Sequence, residues 1–169
     1  MLKQYNRLRV NVTMKNKFKQ AYMDVAERFA QLSHSKKLKV GAIVVKDDRI
    51  ISIGYNGMPT GWDNGCEDVV VEESQYEPNV YYKSKPQVLH AESNAIAKVA
   101  KSNESCDNAA IFCTHAPCLE CAKLIHQSGI TSVYYKQDYD SLNYGSGIEF
   151  LNLSQIYVEM LTNEDSVNN

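Results

Sequence analysis

Residues 109–130, which decide the fold, are Ala-Ala-Ile-Phe-Cys-Thr-His-Ala-Pro-Cys-Leu-Glu-Cys-Ala-Lys-Leu-Ile-His-Gln-Ser-Gly-Ile. Ala109–Cys113 is a short apolar run that predicts a strand. Pro117–Ser128 has helical composition, with Pro near its start and Gly129 just past its end. A second apolar run, Ile130–Tyr135, predicts another strand, so this stretch predicts a strand–helix–strand unit.

The chain before this unit predicts a helix and a hairpin. Apolar residues at helical spacing predict an amphipathic helix over Lys15–Leu32. Val40–Val45 and the isoleucines of 50–53 flank a polar turn, which indicates two paired strands. Asn56–Val88 is rich in Gly, Pro, acidic residues and Tyr, and a loop of that length inside a domain is usually functional or disordered. Ala91–Ala100 returns to helical composition.

The last part of the chain is less regular. Gly147–Leu153 predicts a helix, Gln155–Met160 fits a strand or a helix, and the residues after Leu161 are polar. The order of elements predicts the α/β class, as a three-layer α-β-α sandwich around a mixed, roughly five-stranded sheet. We expect one domain over 15–161, with an N-terminal extension at 1–14 and a polar tail at 162–169.

Composition restricts the classes of function. The 169 residues suit one domain, and 44% hydrophobic with 22% charged residues is an ordinary globular balance. The net charge of -2 argues against a nucleic-acid binder, which usually carries a basic excess. The chain shows neither an apolar run near the roughly 20 residues of a membrane span nor a secretory signal. We therefore expect a cytoplasmic protein, whose five cysteines stay reduced and either bind metal or lie buried.

Two helix starts carry the chemistry. His90-Ala91-Glu92 opens one predicted helix, and Cys118-Leu119-Glu120-Cys121 opens the next. Thiolates are favoured at a helix N-terminus, and two thiolates with an imidazole suit Zn²⁺. Three protein ligands leave the fourth position of the ion open, as catalytic zinc sites do. This His-x-Glu…Pro-Cys-x-x-Cys arrangement is the known signature of zinc deaminases, in which the Glu moves protons.

Each motif also has other interpretations. Cys118 and Cys121 alone fit a redox pair or half of a structural zinc site. Cys113 and His115 lie close to them in sequence and fit a compact structural cluster, although that cluster leaves Glu92 unexplained.

The chain resembles the deoxycytidylate (dCMP) deaminase family, including its bacteriophage members, over roughly Phe18–Tyr139. The stretches that carry this resemblance are residues 40–42 (Val-Gly-Ala), 54–61 (Gly-Tyr-Asn-Gly-Met-Pro-Thr-Gly), 90–96 (His-Ala-Glu-Ser-Asn-Ala-Ile) and 117–130. The zinc motifs are shared by the wider cytidine deaminase superfamily. The 54–61 stretch indicates the nucleotide-monophosphate branch. If the chain is phage-encoded, as the resemblance to bacteriophage members suggests, the expected location is the host cytoplasm.

The resemblance implies hydrolytic deamination of dCMP to dUMP and ammonia on a cytidine deaminase-like fold. It implies one catalytic Zn²⁺ per chain held by His90, Cys118 and Cys121, with Glu92 as the proton shuttle. It also implies that Asn56 contacts the sugar and that the backbone of Ala91 contacts the base. Lys136 and Tyr139 follow the last clear strand, where α/β sheets tend to place ligands, and are predicted phosphate contacts.

Regulation is also implied. Members of the family are homohexamers activated by dCTP and inhibited by dTTP, with Mg²⁺ accompanying the triphosphate and the turn Gly54, Tyr55, Asn56, Gly57 at that site. This chain departs from the family at His34-Ser35, where many members have Arg-Ser. Some phage relatives carry a second zinc, but Ser35 stands in place of the expected Cys, so we expect one. A free cytidine or deoxycytidine deaminase, a nucleic-acid cytosine deaminase and a non-catalytic zinc-binding module remain alternatives.

Overall fold

The computed structural model describes residues 14–138 and 145–162, with seven strands and four helices among them. In chain order the elements are α1 (Asn16–Ala30), β1 (Gly41–Lys46), β2 (Arg49–Tyr55), β3 (Glu67–Glu72), β4 (Asn79–Ser84), α2 (Ala91–Val99), β5 (Ala110–His115), α3 (Leu119–Gln127), β6 (Ser132–Gln137), α4 (Gly145–Leu153) and β7 (Tyr157–Met160).

The main sheet has five strands in the order β2-β1-β5-β6-β7. β1 pairs antiparallel with both β2 and β5, whereas β5, β6 and β7 run parallel. The mixed five-stranded sheet that the sequence predicts is therefore confirmed. Because β5 and β6 are parallel, their C-terminal ends lie at the same edge of the sheet, and the chain leaves β5 there to enter α3.

Helices cover both faces of the sheet. On one face α1 buries Met23 and Ala26 against Ile43 and Phe112. On the other, α2 and α3 pack on the alternate side chains of the same strands, including Val44 of β1 and the neighbouring residues of β5 and β6. This alternation follows from the two-residue period of a strand, and it confirms the three-layer sandwich.

The segment 56–88 differs from the predicted long loop, because it contains an antiparallel hairpin. β3 and β4 pair in register from Glu67–Ser84 to Glu72–Asn79 and form a separate two-stranded sheet. The β-branched residues 69–71 and the tyrosines at 81 and 82 supply strand-forming side chains. Most of these side chains are exposed, so the segment lacks the buried alternation that identifies a strand in a sequence.

Several predicted boundaries move by one to three residues. α3 begins at Leu119, two residues later than predicted, because Cys118 has an extended backbone with φ -69° and ψ 169°. The ambiguous C-terminal segment is a strand, β7. The extension at 1–14 and the tail at 162–169 lie almost wholly outside the described residues and stay predictions. Within 14–138 and 145–162, no helix has the length and apolarity needed to cross a membrane.

Candidate active site

Two helix starts bring together one imidazole and two thiols. His90 immediately precedes α2, Cys118 immediately precedes α3, and Cys121 lies in the first turn of α3. The Nδ1 atom of His90 lies 3.5 Å from Sγ of Cys118 and 3.4 Å from Sγ of Cys121. Across 14–138 and 145–162, these three residues are the one group whose ligand atoms lie within 4.8 Å of one another. Two sulfurs and a nitrogen at this separation form a donor set that suits Zn²⁺.

Within the cluster, hydrogen bonds favour loss of the proton from Cys118. The Cys121 thiol donates a hydrogen bond to Cys118 and lowers the pKa of Cys118 to about 3, with a further contribution from His90. The same hydrogen bond, together with burial, raises the pKa of Cys121. Hydrogen bonding to Cys118 also raises the pKa of His90. Cys118 is therefore a thiolate at neutral pH, and a divalent cation bound by the cluster would compete with the protons of its three ligands.

Glu92 is a buried carboxyl group beside this cluster. It is the second residue of α2, and only 4% of it is exposed. Burial raises its pKa to about 7, and the charge of Cys118 adds to this effect. A carboxyl with a pKa near neutrality can both accept and donate a proton at working pH, which is what general acid–base catalysis requires.

Cys113 and His115 do not join the cluster. Cys113 is fully buried in β5, and burial raises the pKa of its thiol well above the ordinary value. Nδ1 of His115 lies 3.0 Å from Oγ1 of Thr114, and the ring also forms a hydrogen bond with Gln137. His115 therefore forms hydrogen bonds with residues at the ends of β5 and β6. The geometry does not support a structural metal cluster of Cys113 and His115 with Cys118 and Cys121.

Two glycines hold the helix starts by allowing backbone contact. A Cβ on Gly54 of β2 would lie 2.1 Å from the carbonyl oxygen of Ala91, in the first turn of α2. A Cβ on Gly147 of α4 would lie 2.0 Å from the carbonyl oxygen of Pro117. Each glycine therefore lets a neighbouring element rest on the backbone that carries a proposed ligand. For Gly54, which belongs to the predicted effector turn, α2 leaves no room for a side chain on this side of the backbone.

Asn56 lies between the sheet and a surface cavity. Its Nδ2 donates to the Leu38 carbonyl and its Oδ1 accepts from the Val40 N–H, both at 2.8 Å. The backbones of Gly57 and Leu89 form a bridge with two hydrogen bonds, which places this turn next to His90. A cavity of about 260 Å³ lies here. Its lining includes Tyr55, Asn56 and Gly57 from the predicted turn, with His34 and Asn64 from neighbouring loops.

Lys136, one of the two predicted phosphate contacts, does not line this cavity. Nζ of Lys136 lies 2.7 Å from the carboxylate of Glu27 in α1. That ion pair places Lys136 on the face of the sheet opposite to α2 and α3, so its predicted role is not supported. Tyr139 lies outside the described residues. The role of Gly147 was missed in the sequence, because only the contact between α4 and the Pro117 turn reveals it.

Comparison with known proteins agrees with this geometry. The family model of the cytidine and deoxycytidylate deaminase zinc-binding region matches residues 16–137. The chain is 34% identical to mouse deoxycytidylate deaminase over 87% of this chain and 85% of that protein. It is 30% identical to the deoxycytidylate deaminase of enterobacteria phage T4, over 78% of this chain and 87% of that protein.

A solved structure extends the likeness to the fold. The dCMP deaminase of cyanophage S-TIM5, crystallised with dCMP and dUMP, superimposes with a TM-score of 0.75. The two sequences are 43% identical, and the match covers 88% of this chain and 99% of the cyanophage chain. Together with the His90, Cys118 and Cys121 group, these matches establish that the chain belongs to the cytidine and deoxycytidylate deaminase family of enzymes.

Proposed function

We propose that the chain catalyses the zinc-dependent hydrolytic deamination of dCMP to dUMP and ammonia. The observation that carries this proposal is the buried carboxyl of Glu92 beside the His90, Cys118 and Cys121 group. The similarity to dCMP deaminases, one of them crystallised with dCMP and dUMP, supports the choice of substrate.

His90, Cys118 and Cys121 would hold the zinc ion. Their donor set suits it, and His90 is exposed, so the group can be reached from outside. When bound, zinc supplies Lewis acidity and lowers the pKa of a coordinated water to about 7. With three protein ligands, one coordination position is left for water or substrate.

Glu92 would move the protons of the reaction. In dCMP the amino group on C4 of cytosine is replaced by oxygen from water, and the amino nitrogen leaves as ammonia. Glu92 takes a proton from the attacking water and delivers it to N3, and it then assists protonation of the departing amino group. Because burial brings the pKa of Glu92 to about 7, neither transfer is strongly uphill at neutral pH.

Asn56 and Ala91 would orient the nucleotide. The side chain of Asn56 uses one N–H and one lone pair within the protein, which leaves one donor and one acceptor for the sugar. Ala91 begins α2, and the first N–H groups of a helix have no partner within the helix. Its backbone is therefore suited to contact the base.

We further propose activation by dCTP and inhibition by dTTP, with Mg²⁺ on the triphosphate, in a homohexamer. Tyr55, Asn56 and Gly57 line the 260 Å³ cavity, so one turn can contact an effector and the substrate sugar. Opposite effects require each triphosphate to prefer a different conformer, since equal affinity shifts no equilibrium. We expect sigmoidal dCMP kinetics that become hyperbolic with dCTP. Hyperbolic kinetics that neither triphosphate alters, in zinc-loaded oligomer, would contradict this regulation and leave the deaminase proposal intact. Hexamer formation and a cytoplasmic location stay predictions.

The test of function is ammonia release from dCMP, CMP, deoxycytidine, dCTP and single-stranded DNA, measured side by side. We expect the highest kcat/KM for dCMP. The Glu92→Gln variant, which keeps the shape of the side chain, should retain zinc and lose about 10² to 10⁴ in rate. Highest activity on deoxycytidine or on DNA would favour the corresponding alternative. Full zinc content with no ammonia from any substrate would favour a non-catalytic zinc-binding module.

A further inference from the structure

Glu67 joins the β3–β4 hairpin to the loop that connects α1 with β1. Its Oε1 accepts hydrogen bonds from Oγ of Ser35 at 2.6 Å, from N of Lys36 at 3.0 Å and from N of Lys37 at 3.3 Å. Three donors converge on one carboxylate oxygen, and charged acceptors form stronger hydrogen bonds than neutral ones. A second contact joins the same loop to the hairpin, since Nζ of Lys36 lies 5.1 Å from the centre of the Tyr82 ring in β4.

The same loop orients the side chain of Asn56. Besides donating to Glu67, Ser35 uses its Oγ to accept from N of Leu38 at 3.3 Å. The carbonyl of Leu38 accepts a hydrogen bond from Nδ2 of Asn56, and N of Val40 donates one to Oδ1 of Asn56, both at 2.8 Å. Hydrogen bonds, together with the short backbone segment 35–40, therefore link Glu67 to both ends of the Asn56 amide.

Burial indicates which parts of this path are fixed. Ser33, Ser35 and Asn56 are buried, although they are polar and belong to loops. Oγ of Ser33 accepts from N of Ser35, so the loop also carries its own turn. Its buried polar groups form hydrogen bonds with one another. Removing one partner therefore leaves another buried polar group without a hydrogen bond, which costs the free energy of its desolvation.

We propose that Glu67 is a positioning residue for the nucleotide: it holds the 33–38 loop, and through that loop it fixes the orientation of the Asn56 amide toward the sugar. This inference rests on the proposed function. Glu67 lies on the hairpin and not among the zinc ligands, so it should affect substrate affinity and leave the metal centre intact. The loop also carries His34, which lines the cavity beside Asn56.

The test is a double-mutant cycle between Glu67 and Asn56, with dCMP as substrate and zinc content measured for every variant. We expect Glu67→Ala to raise KM about tenfold, the effect of losing roughly one hydrogen bond, with kcat changed less than about twofold. Glu67→Gln should recover part of the loss, because its amide oxygen can still accept from Ser35. Glu72→Ala is the matched control, since this carboxylate ends the same strand and is bonded by the exposed Tyr81 hydroxyl.

Coupling decides the outcome. If Glu67 acts through Asn56, the KM effect of Glu67→Ala should largely disappear in an Asn56→Ala background. Additive effects, or an unchanged KM in Glu67→Ala, would overturn the inference. If Glu67→Ala does not fold, the same cycle with Glu67→Gln decides between coupling and additivity. A wild-type enzyme that releases no ammonia from dCMP would refute the proposed function instead, so the two failures are distinguishable.

Discussion

Gly54→Ala tests whether backbone contact between β2 and α2 sets the position of the active-site helix. The added Cβ would lie 2.1 Å from O of Ala91 and 2.6 Å from N of Ala95, whereas ordinary contact begins near 3.4 Å. The contacted atoms belong to the helix backbone, so no rotamer change can relieve the overlap. The helix must move by about 1 Å or the strand must bend, and overpacking of this kind costs about 1–3 kcal/mol.

We expect the upper end of that range, about 3 kcal/mol, because two backbone atoms oppose the same Cβ. For a domain of this size, such a loss lowers Tm by about 6–12 °C. A shift of about 1 Å in α2 also displaces Glu92, and a misplacement of that size can cost about 10²-fold in rate. The assays are the free energy of unfolding from urea titration and kcat for dCMP, each on zinc-loaded protein.

Gly57→Ala is the matched control for stability. A Cβ on Gly57 meets no atom within 4 Å, and neither glycine has the positive φ that would itself strain alanine. The control should unfold within about 0.5 kcal/mol of the wild type, as surface substitutions usually do. Equal free energies of unfolding for both variants, with kcat of Gly54→Ala unchanged, would refute the claim that this contact positions α2.

Three further predictions concern the metal, its support and pH. Cys118→Ala should reduce zinc from one equivalent to nearly none by metal analysis, whereas Cys113→Ala should retain it; zinc loss from the second variant would instead favour the structural cluster. Gly147→Ala should weaken zinc binding about 10- to 100-fold in chelator competition, because its Cβ would displace the Pro117 carbonyl; unchanged affinity would mean that α4 moves away freely. Burial raises the pKa of Glu67, but hydrogen bonds from Ser35, Lys36 and Lys37 outweigh it and lower the net pKa below 4.5. The wild type should therefore have a larger free energy of unfolding than Glu67→Gln above pH 4.5. This difference should shrink as the pH falls through the lower pKa of Glu67 in the folded state, and a difference independent of pH would contradict the prediction.

The metal group was predictable because its signals are local. The spacing of Cys118 and Cys121 fixes both thiols at one helix start, and no distant contact is needed to predict that. His90 and Glu92 likewise depend on the start of a single helix. Strands β1, β2, β5 and β6 were predictable for the same reason, since they contain apolar runs, whereas the segment of β7 fitted a strand or a helix.

The parts that sequence did not reveal depend on contacts between distant residues. The β3–β4 hairpin exposes most of its side chains, so no buried period marks it. Lys136 was assigned to the site from its place at a strand end. Strand alternation puts Lys136 on the same face as Tyr134, which packs toward α1. Without knowing which face carries α2 and α3, the sequence could not show that Lys136 lies on the other face.

The two halves of the proposed site are held by different interactions, so substitutions in each half should change different properties of the enzyme. The zinc half rests on backbone contacts at Gly54 and Gly147, where any side chain would displace a helix start. The nucleotide half rests on hydrogen bonds that run from Glu67 to Asn56 across a loop. Overlap between backbones cannot be relieved locally, so changes in the zinc half should alter metal content and kcat. Hydrogen bonds in a loop rearrange more easily, so changes in the nucleotide half should alter KM while zinc remains bound. A variant with altered KM and full zinc content is therefore expected from the loop and hairpin, and not from the glycines beneath α2 and α3.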